Sequence, residues 1–190
     1  MTPPDDDDLD FTKPLKPAAP PPQEKVVAAR KEAAKGSPQL ARSGFYVAMA
    51  RNAASLIPPR DGVRHSVLVI EDDMDLLKFV GEVLAKAGFT TRFARNRAEI
   101  NAELNKPPLP DLVLLDVRLP DADGFNILEK VRNNQKLAKM PVVMMTGRSE
   151  VTDIARGLTL GADGYVTKPF KISGLISAVN TVLGLDQSAS

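Results

Sequence analysis

The sequence contains no cysteine, which excludes disulfide bonds, thiolate metal sites and thiol catalysis and fits a reducing compartment. It also has almost no net charge, because 25 basic and 24 acidic side chains leave +1 at pH 7. That balance gives no overall attraction to nucleic acid or acidic membranes. No run approaches about 18 uninterrupted apolar residues, so membrane insertion is not expected. The segment from Met1 to Asp10 is acidic and lacks the basic-then-apolar order of a secretory signal, so we expect a cytoplasmic protein.

The first 63 residues differ in composition from the rest. Ten of the 16 prolines lie between Pro3 and Pro59, and residues 14–22 mix proline, lysine and alanine. Such a stretch cannot bury enough apolar surface to offset its ordering entropy. We predict that residues 1–63 form an extension that is disordered to about residue 23, with possible helices over residues 24–35 and 38–57. Ser37 and Pro38 have the residue types of an N-cap and a first helical position.

An apolar stripe follows within the second predicted helix. Phe45, Met49, Ala53, Leu56 and Ile57 recur at helical spacing. The stripe has two interpretations: it packs against the domain that follows, or it is a docking helix for a partner protein. Sequence alone does not separate them.

From Ser66 onward, short apolar runs alternate with helical patterns, giving five strand-helix pairs. This alternation predicts an α/β domain over residues 64–186, with a parallel sheet and helices on both of its faces. The run Val67–Ile70 is continuously apolar, as expected of a strand buried on both faces. The run Thr90–Ala94 contains an arginine, so we place it at an edge of the sheet.

Chemically active side chains stand where the predicted strands end. Glu71 and Asp72 follow the first strand, Asp116 follows the third, Thr146 ends the fourth and Lys168 follows the fifth. The carboxyl ends of parallel strands gather in one crevice, so these residues should converge. Three clustered carboxylates require a counter-ion or raised pKa values, and Mg²⁺ prefers such hard oxygen ligands. A carboxylate placed there can attack phosphorus and become an aspartyl phosphate, with Lys168 and Thr146 as neutralising groups.

Single residues in this set also have simpler interpretations. Lys168 taken alone is a solvated lysine, and Thr146 taken alone is an ordinary strand-end residue. Asp73 and Asp75 are expected only to begin the helix that follows. His65, the single histidine, is expected at the surface of the domain edge rather than as a ligand. The argument for a site therefore depends on the joint placement of its members.

Four segments resemble a known family. They are Val67–Asp73, Asp111–Gly124, Pro141–Gly147 and Gly161–Phe170. Their order and spacing resemble the receiver domains of two-component response regulators. The resemblance covers residues 64–186 and none of the extension. It implies a flavodoxin-like, doubly wound (βα)5 parallel sheet with strand order 2-1-3-4-5.

The resemblance also implies roles for individual residues. Asp116 would accept a phosphoryl group from a histidine kinase or phosphotransfer protein, with Mg²⁺ as cofactor. On activation, the matching hydroxyl and aromatic residues of the family move together and change the face around the fourth helix and fifth strand. The implied site residues are Asp116 as phosphoacceptor; Glu71, Asp72, Asp116 and the backbone carbonyl of Arg118 as metal ligands; and Thr146, Lys168 and Tyr165 as phosphoryl-contacting or switch residues.

Three positions depart from the pattern of the family. Glu71 stands where aspartate is common, although its longer side chain still reaches a metal-bound water. Gly147 leaves access to the phosphodonor open and loosens its loop. Arg118 places a bulky cation two residues after Asp116, where it affects the approach of attacking water.

We expect a stand-alone response regulator of a phosphorelay that signals to a downstream protein target. Only 22 residues follow Lys168, enough for one helix. The protein is not expected to be an enzyme, since the phosphoryl chemistry occurs on itself. Direct DNA binding is not expected either, because the extension has no helix-turn-helix pattern. The alternative is a receiver-fold scaffold that binds proteins whether or not it is phosphorylated. Flavodoxin-like electron transfer is excluded by the acidic run Glu71–Asp73, and no Walker glycine loop is present.

Overall fold

The computed structural model describes residues 10–13, 19–48, 63–147 and 151–185. Two elements precede the predicted domain, and ten alternate within it. The elements are α1 (Gln23–Ser43), β1 (Phe45–Val47), β2 (Ser66–Ile70), α2 (Met74–Lys86), β3 (Thr90–Ala94), α3 (Arg97–Leu104), β4 (Leu112–Asp116), α4 (Gly124–Asn133), β5 (Val142–Thr146), α5 (Val151–Leu160), β6 (Gly164–Thr167) and α6 (Ile172–Leu183).

The strands form one six-stranded sheet in the order β1-β6-β5-β4-β2-β3. Strands β2 to β6 pair in parallel, and β1 pairs antiparallel with β6. Counted along the chain, the five parallel strands have the predicted order 2-1-3-4-5, with Thr90–Ala94 at one edge. The flavodoxin-like prediction is therefore confirmed, and β1 adds a sixth strand at the opposite edge.

The central strands are buried on both faces, because their side chains alternate between two apolar layers. On one face, Leu68 and Ile70 of β2 join the cluster that contains α3, α4 and α5 residues. On the other face, Val67 and Val69 join the cluster that contains α2 and α6 residues. The two layers fix the register of each strand, and so the direction in which the residue after it points.

Acidic and amide side chains cap the helices that leave the strands. The Asp73 carboxylate accepts hydrogen bonds from the backbone N–H groups of Asp75 and Leu76, at 2.9 and 3.1 Å. Asp123 caps α4 by accepting from the N–H of Phe125 at 2.8 Å. The expectation that Asp73 begins a helix is confirmed, and its side chain is occupied by capping.

A buried ion pair fixes the starts of β5 and β6. Arg132 donates to the carboxylate of Asp163 at 2.8 Å and to the carbonyls of Gly161 and Met140 at 2.8 and 2.7 Å. The same carboxylate accepts from the N–H of Val142 at 2.8 Å, and Asp163 is fully buried. Because each partner is satisfied, this pair can be buried without leaving a lone charge.

The extension differs from its prediction in its helices. Helix α1 continues through Pro38, where a second helix was predicted to begin, and ends at Gly44, whose φ is +82°. The carbonyl of Ala34, which loses its intrahelical donor at Pro38, lies on the exposed side of α1, where water can hydrate it. Residues 45–47 form strand β1 rather than helix, because pairing with the β6 edge overrides their helical spacing. The remainder of the predicted helix, from residue 49, lies outside the described residues.

Part of the segment predicted to be disordered packs against the domain. The Phe11 side chain is 3% exposed, and its backbone N–H donates to the Asn101 side chain at 3.1 Å. Lys130 donates to the backbone carbonyl of Asp10 at 2.8 Å and to that of Lys13. A single aromatic anchor thus orders a short turn that its polar composition did not predict. Residues 1–9 and 14–18 lie outside the described residues.

Two smaller findings complete the fold. His65 is partly exposed at the edge of the domain, just before β2, and its Nε2 atom is buried with no hydrogen-bond partner within the described segments. None of the helices in the described part of the chain has both the length and the apolar character needed to span a bilayer.

Candidate functional site

Three carboxylates converge at the carboxyl ends of β2 and β4. Glu71 and Asp72 follow β2, and Asp116 is the last residue of β4. One oxygen of each of the three lies within 4.8 Å of the others. Glu71 and Asp116 are buried, and Asp72 is exposed. The predicted convergence is therefore present, with two carboxylates inside the protein and one at its surface.

Lys168 brings a positive charge to this cluster from the end of β6. Its Nζ donates to Oδ2 of Asp116 at 2.9 Å and to Oε2 of Glu71. The other Glu71 oxygen accepts from the N–H of Asp73 at 3.3 Å. The Lys168 side chain is 23% exposed, so its ammonium group is accessible from the crevice while it pairs with the two buried carboxylates. The Lys168–Pro169 peptide bond is cis.

Burial and charge perturb the ionisation of this group of residues. Burial raises the pKa of the Glu71 carboxyl, and the charge of Asp116 adds to the rise, while the hydrogen bond from Lys168 acts in the opposite direction. Burial by itself lowers the pKa of Lys168, but its hydrogen bonds to Glu71 and Asp116 raise it overall. Lys168 is therefore held in its charged form, as a counter-ion to carboxylates should be.

A small open cavity of about 300 Å³ lies beside Asp116. Thr146, Gly147 and Lys168 form part of its lining, together with Val117, Arg118 and Asp153. The backbone N–H of Lys168 donates to the carbonyl of Thr146 at 2.7 Å, which ties the loops after β5 and β6 together. The cavity thus offers a carboxylate, a hydroxyl and an ammonium group to one small ligand.

The loop after β4 folds back on itself next to the cavity. Arg118 forms a β-bridge with Asp123, in which Val117 accepts from Gly124 at 2.9 Å and Leu119 donates to Ala122 at 3.1 Å. The bridge uses these flanking groups, so the carbonyl of Arg118 takes no part in it. A Cβ on Gly124 would lie 2.2 Å from the backbone oxygen of Asp116, so glycine is required for this fold of the loop.

The donor set fits the predicted magnesium ion. Mg²⁺ prefers oxygen ligands, commonly takes one or two carboxylates and keeps several waters. The cluster supplies three carboxylates, and the exposure of Asp72 leaves one side open for water. Glu71 is engaged by Lys168, which suits it to hold a metal-bound water rather than the ion directly.

Tyr165 lies away from the cavity, beneath α5. Its side chain is fully buried, and its hydroxyl donates to the carbonyl of Ile154 at 3.2 Å. A Cβ on Gly157 would lie only 1.8 Å from that hydroxyl, so α5 can pack here only because residue 157 is glycine. Burial raises the pKa of Tyr165. Of the predicted site residues, Tyr165 is the one that does not reach the acidic cluster, and it contacts the neighbouring helix instead.

Sequence reasoning missed several residues around this site. Gly124 lies close to the backbone of Asp116, and Gly157 lies close to Tyr165. No local sequence pattern predicts these contacts. Tyr46 of β1 lies opposite Tyr165 of β6 in the sheet, whereas the sequence pattern predicted that residue 46 is helical. The sequence of α1 does contain a pattern that predicts packing against another helix. Its buried residues, Ala29, Ala33, Gly36 and Leu40, follow one another at spacings of four, three and four.

Comparisons with known proteins agree with this geometry. A family model described as the response regulator receiver domain matches residues 67–180. The transcriptional regulatory protein GltR of Pseudomonas aeruginosa is 36% identical over 118 residues, which are 62% of this chain and 48% of that protein. The phosphate regulon transcriptional regulatory protein PhoB of Escherichia coli is 37% identical over 117 residues, 62% of this chain and 51% of that protein. The chain spans about half the length of these curated relatives.

Solved structures are similar to about two thirds of this chain. A chemotaxis response regulator of Vibrio cholerae gives a TM-score of 0.60 at 26% identity, covering 64% of this chain and 100% of that chain. A two-component response regulator from Clostridium difficile gives 0.59 at 28% identity, covering 66% and 100%. The residues matched by the family model, 67–180, do not include α1 or β1.

Proposed function

The chain belongs to the response regulator receiver domain family, and from this premise we propose that it accepts a phosphoryl group on Asp116 within a phosphorelay. The donor is a histidine kinase or a phosphotransfer protein. The single observation that carries the proposal is the placement of the Lys168 ammonium group between Asp116 and Glu71, at the edge of an open cavity.

The proposed step is a nucleophilic displacement at phosphorus. A carboxylate oxygen of Asp116 bonds to phosphorus while the bond between phosphorus and the donor breaks, and the electron pair of that bond leaves with the donor. The new phosphoryl oxygens add negative charge beside Glu71. Lys168 offsets this charge, and the Thr146 hydroxyl donates a hydrogen bond to a phosphoryl oxygen. Arg118 and Gly147 border the space through which a donor or a hydrolytic water approaches.

The proposal assigns Asp72, Asp116 and the backbone carbonyl of Arg118 as direct metal ligands, with Glu71 held to the ion through a bound water. When bound there, Mg²⁺ would supply positive charge to offset that of the Asp116 carboxylate and the incoming phosphoryl group. Within the protein itself, Lys168 holds Glu71 and Asp116 in position before any ion arrives, so the carboxylates need no rearrangement to meet it.

The proposed output is a change in protein-protein contacts. The names of the relatives describe transcriptional regulation, but only about half of each relative is matched, so DNA binding is not carried over to this chain. The chain acts as the substrate of its own modification rather than as an enzyme on other molecules. Because histidine kinases draw their phosphoryl group from ATP, the proposal also places the chain in the cytoplasm.

Intact-mass spectrometry tests the proposal directly. With Mg²⁺ and acetyl phosphate, the wild-type chain should gain one phosphate, and chelation of the metal should prevent the gain. Asp116→Asn should stay unmodified, whereas Asp75→Asn, a matched change at an exposed carboxylate nearby, should be modified like the wild type. If neither acetyl phosphate nor an authentic kinase ever produces the adduct, the proposal is wrong, and a phosphorylation-independent scaffold becomes the better explanation.

A further inference from the structure

The extension covers the face of the domain formed by α5, β6 and the start of α6, which we call the covered face. Strand β1 completes the sheet there, with the N–H of Thr167 donating to Gly44 at 3.0 Å and that of Ala48 donating to Asp163 at 2.8 Å. Lys171, just before α6, donates to the carbonyl of Arg42 at the end of α1 at 2.7 Å. The covered face is therefore occupied by the extension of the same chain.

Helix α1 packs on α5 through small side chains. Ala29, Ala33 and Gly36 are buried along one side of α1, and Ala33 is 0% exposed. Opposite them, α5 buries Ala155, which belongs to the same apolar cluster as Ala33. Small residues let two helices approach closely, so this contact has little tolerance for a larger or charged side chain.

Two tyrosines connect the extension to the predicted switch residue. Tyr46 lies directly opposite Tyr165 in the β1-β6 pair, so both rings are on the same side of the sheet. The Tyr46 ring packs where a Cβ on Gly36 would stand, 2.7 Å from the ring, and its hydroxyl donates to Glu32 of α1. Tyr165 in turn donates to the carbonyl of Ile154 at the start of α5. Each tyrosine hydrogen-bonds to one helix, and both side chains belong to the same buried cluster.

The same strand leads directly into the acidic site. Thr167 bonds to Gly44 of the extension, and the next residue, Lys168, bonds to Asp116 and to the carbonyl of Thr146. The extension and the acidic site therefore bond to adjacent residues, Thr167 at the end of β6 and Lys168 directly after it. A shift of β6 would therefore alter both its contacts with the extension and the position of Lys168 in the site.

We propose that docking of the α1-β1 unit on the covered face and phosphorylation of Asp116 favour each other; this inference rests on the proposed function. A docked extension holds Tyr46 opposite the buried Tyr165 and bonds to Thr167, so it favours the strand position in which the next residue, Lys168, pairs with Asp116. A phosphoryl group on Asp116 favours the same position of Lys168, because the ammonium group offsets the added negative charge. Two events that select the same arrangement stabilise each other reciprocally.

A matched pair of variants in the full chain tests the coupling. Ala33→Asp places a carboxylate in the α1-α5 contact and should release α1, because an unpaired buried charge is costly. Ala34→Asp adds the same charge at the adjacent, exposed position and should leave α1 docked. Gly36→Leu, which would overlap the Tyr46 ring, provides a second way of releasing the extension. Amide exchange at Thr167 and Ala48 reports docking in each variant, since both N–H groups bridge β1 and the domain.

Beryllofluoride with Mg²⁺ serves as the stand-in for the phosphoryl group. We expect variants with a released extension to bind it about 5-fold or more weakly than the wild type and Ala34→Asp, the lower range for coupled sites. Saturating beryllofluoride should also slow amide exchange at Thr167 and Ala48 in the wild type. Equal or tighter binding by a released variant, or unchanged exchange in the wild type, overturns the coupling. A wild type that neither binds beryllofluoride nor gains phosphate instead refutes the proposed function itself.

Discussion

The Nζ atom of Lys168 lies 2.9 Å from Oδ2 of Asp116, although the two residues are 52 positions apart in the chain. Parallel pairing of β4, β5 and β6 brings the two residues together, because the carboxyl ends of parallel strands lie at the same end of the sheet. The pair combines the proposed phosphoacceptor with the cation that must balance it.

Lys168→Met should therefore slow phosphorylation of Asp116. The substitution removes a charge from the reacting group but keeps most of the side-chain volume. Removal of one such stabilising group costs on the order of 100-fold in rate. The rate of adduct formation from acetyl phosphate, followed by intact mass, measures this loss. Lys136→Met, at an exposed lysine in the α4-β5 connection, is the control and should react at the wild-type rate.

Asp72→Asn should weaken Mg²⁺ binding without unfolding the protein, because Asp72 is exposed and its change removes only a ligand charge. In the wild type, saturating Mg²⁺ should raise the thermal unfolding temperature, since an ion that binds only the folded state stabilises it. This rise should be much smaller in Asp72→Asn and retained in Asp75→Asn. An equal rise in all three proteins would remove Asp72 from the ligand set.

Gly157→Ala should destabilise the fold by about 1 to 3 kcal/mol, the usual cost of overpacking a core. The new methyl group would stand 1.8 Å from the Tyr165 hydroxyl, so α5 must shift. Tyr165→Phe removes that oxygen and should recover part of the loss in the double variant. Urea unfolding of the two single variants and the double variant gives the coupling free energy. Strict additivity would show that the two positions do not touch.

Asp163→Ala should cost about 3 to 5 kcal/mol of unfolding free energy, because it leaves Arg132 buried without its partner. Arg95→Ala breaks the more exposed pair with Glu99 in the loop before α3, where solvent screens the charges, and should cost less than about 1 kcal/mol. Denaturant titration compares the two. Losses of similar size would mean that burial of the Arg132–Asp163 pair has no energetic consequence.

Strand and helix periodicity predicted the fold from residue 66 onward because the pattern is local. The run Val67–Ile70 had to be a doubly buried strand, and Glu71 had to follow it to the sheet edge. The same reasoning placed Asp116 and Lys168 at that edge, where the structure finds them together. Their proposed roles in phosphoryl transfer remain predictions.

The extension could not be predicted in this way. Strand β1 has three residues, too few to show a period of two, and its partner β6 is more than a hundred positions away. Phe11 is a single aromatic residue in a polar segment, yet it is buried against the domain. Pro38 suggested a helix start, but solvent exposure of its face lets α1 continue through it.

The sequence by itself determined the order of strands and helices, the convergence of the three carboxylates with Lys168, and the family to which the domain belongs. Only the tertiary structure decided where the extension packs, which brings Tyr46 opposite Tyr165 and covers the face beside the site. The physical reason is that periodicity records which side of an element is buried, whereas the partner that buries it is chosen by long-range packing.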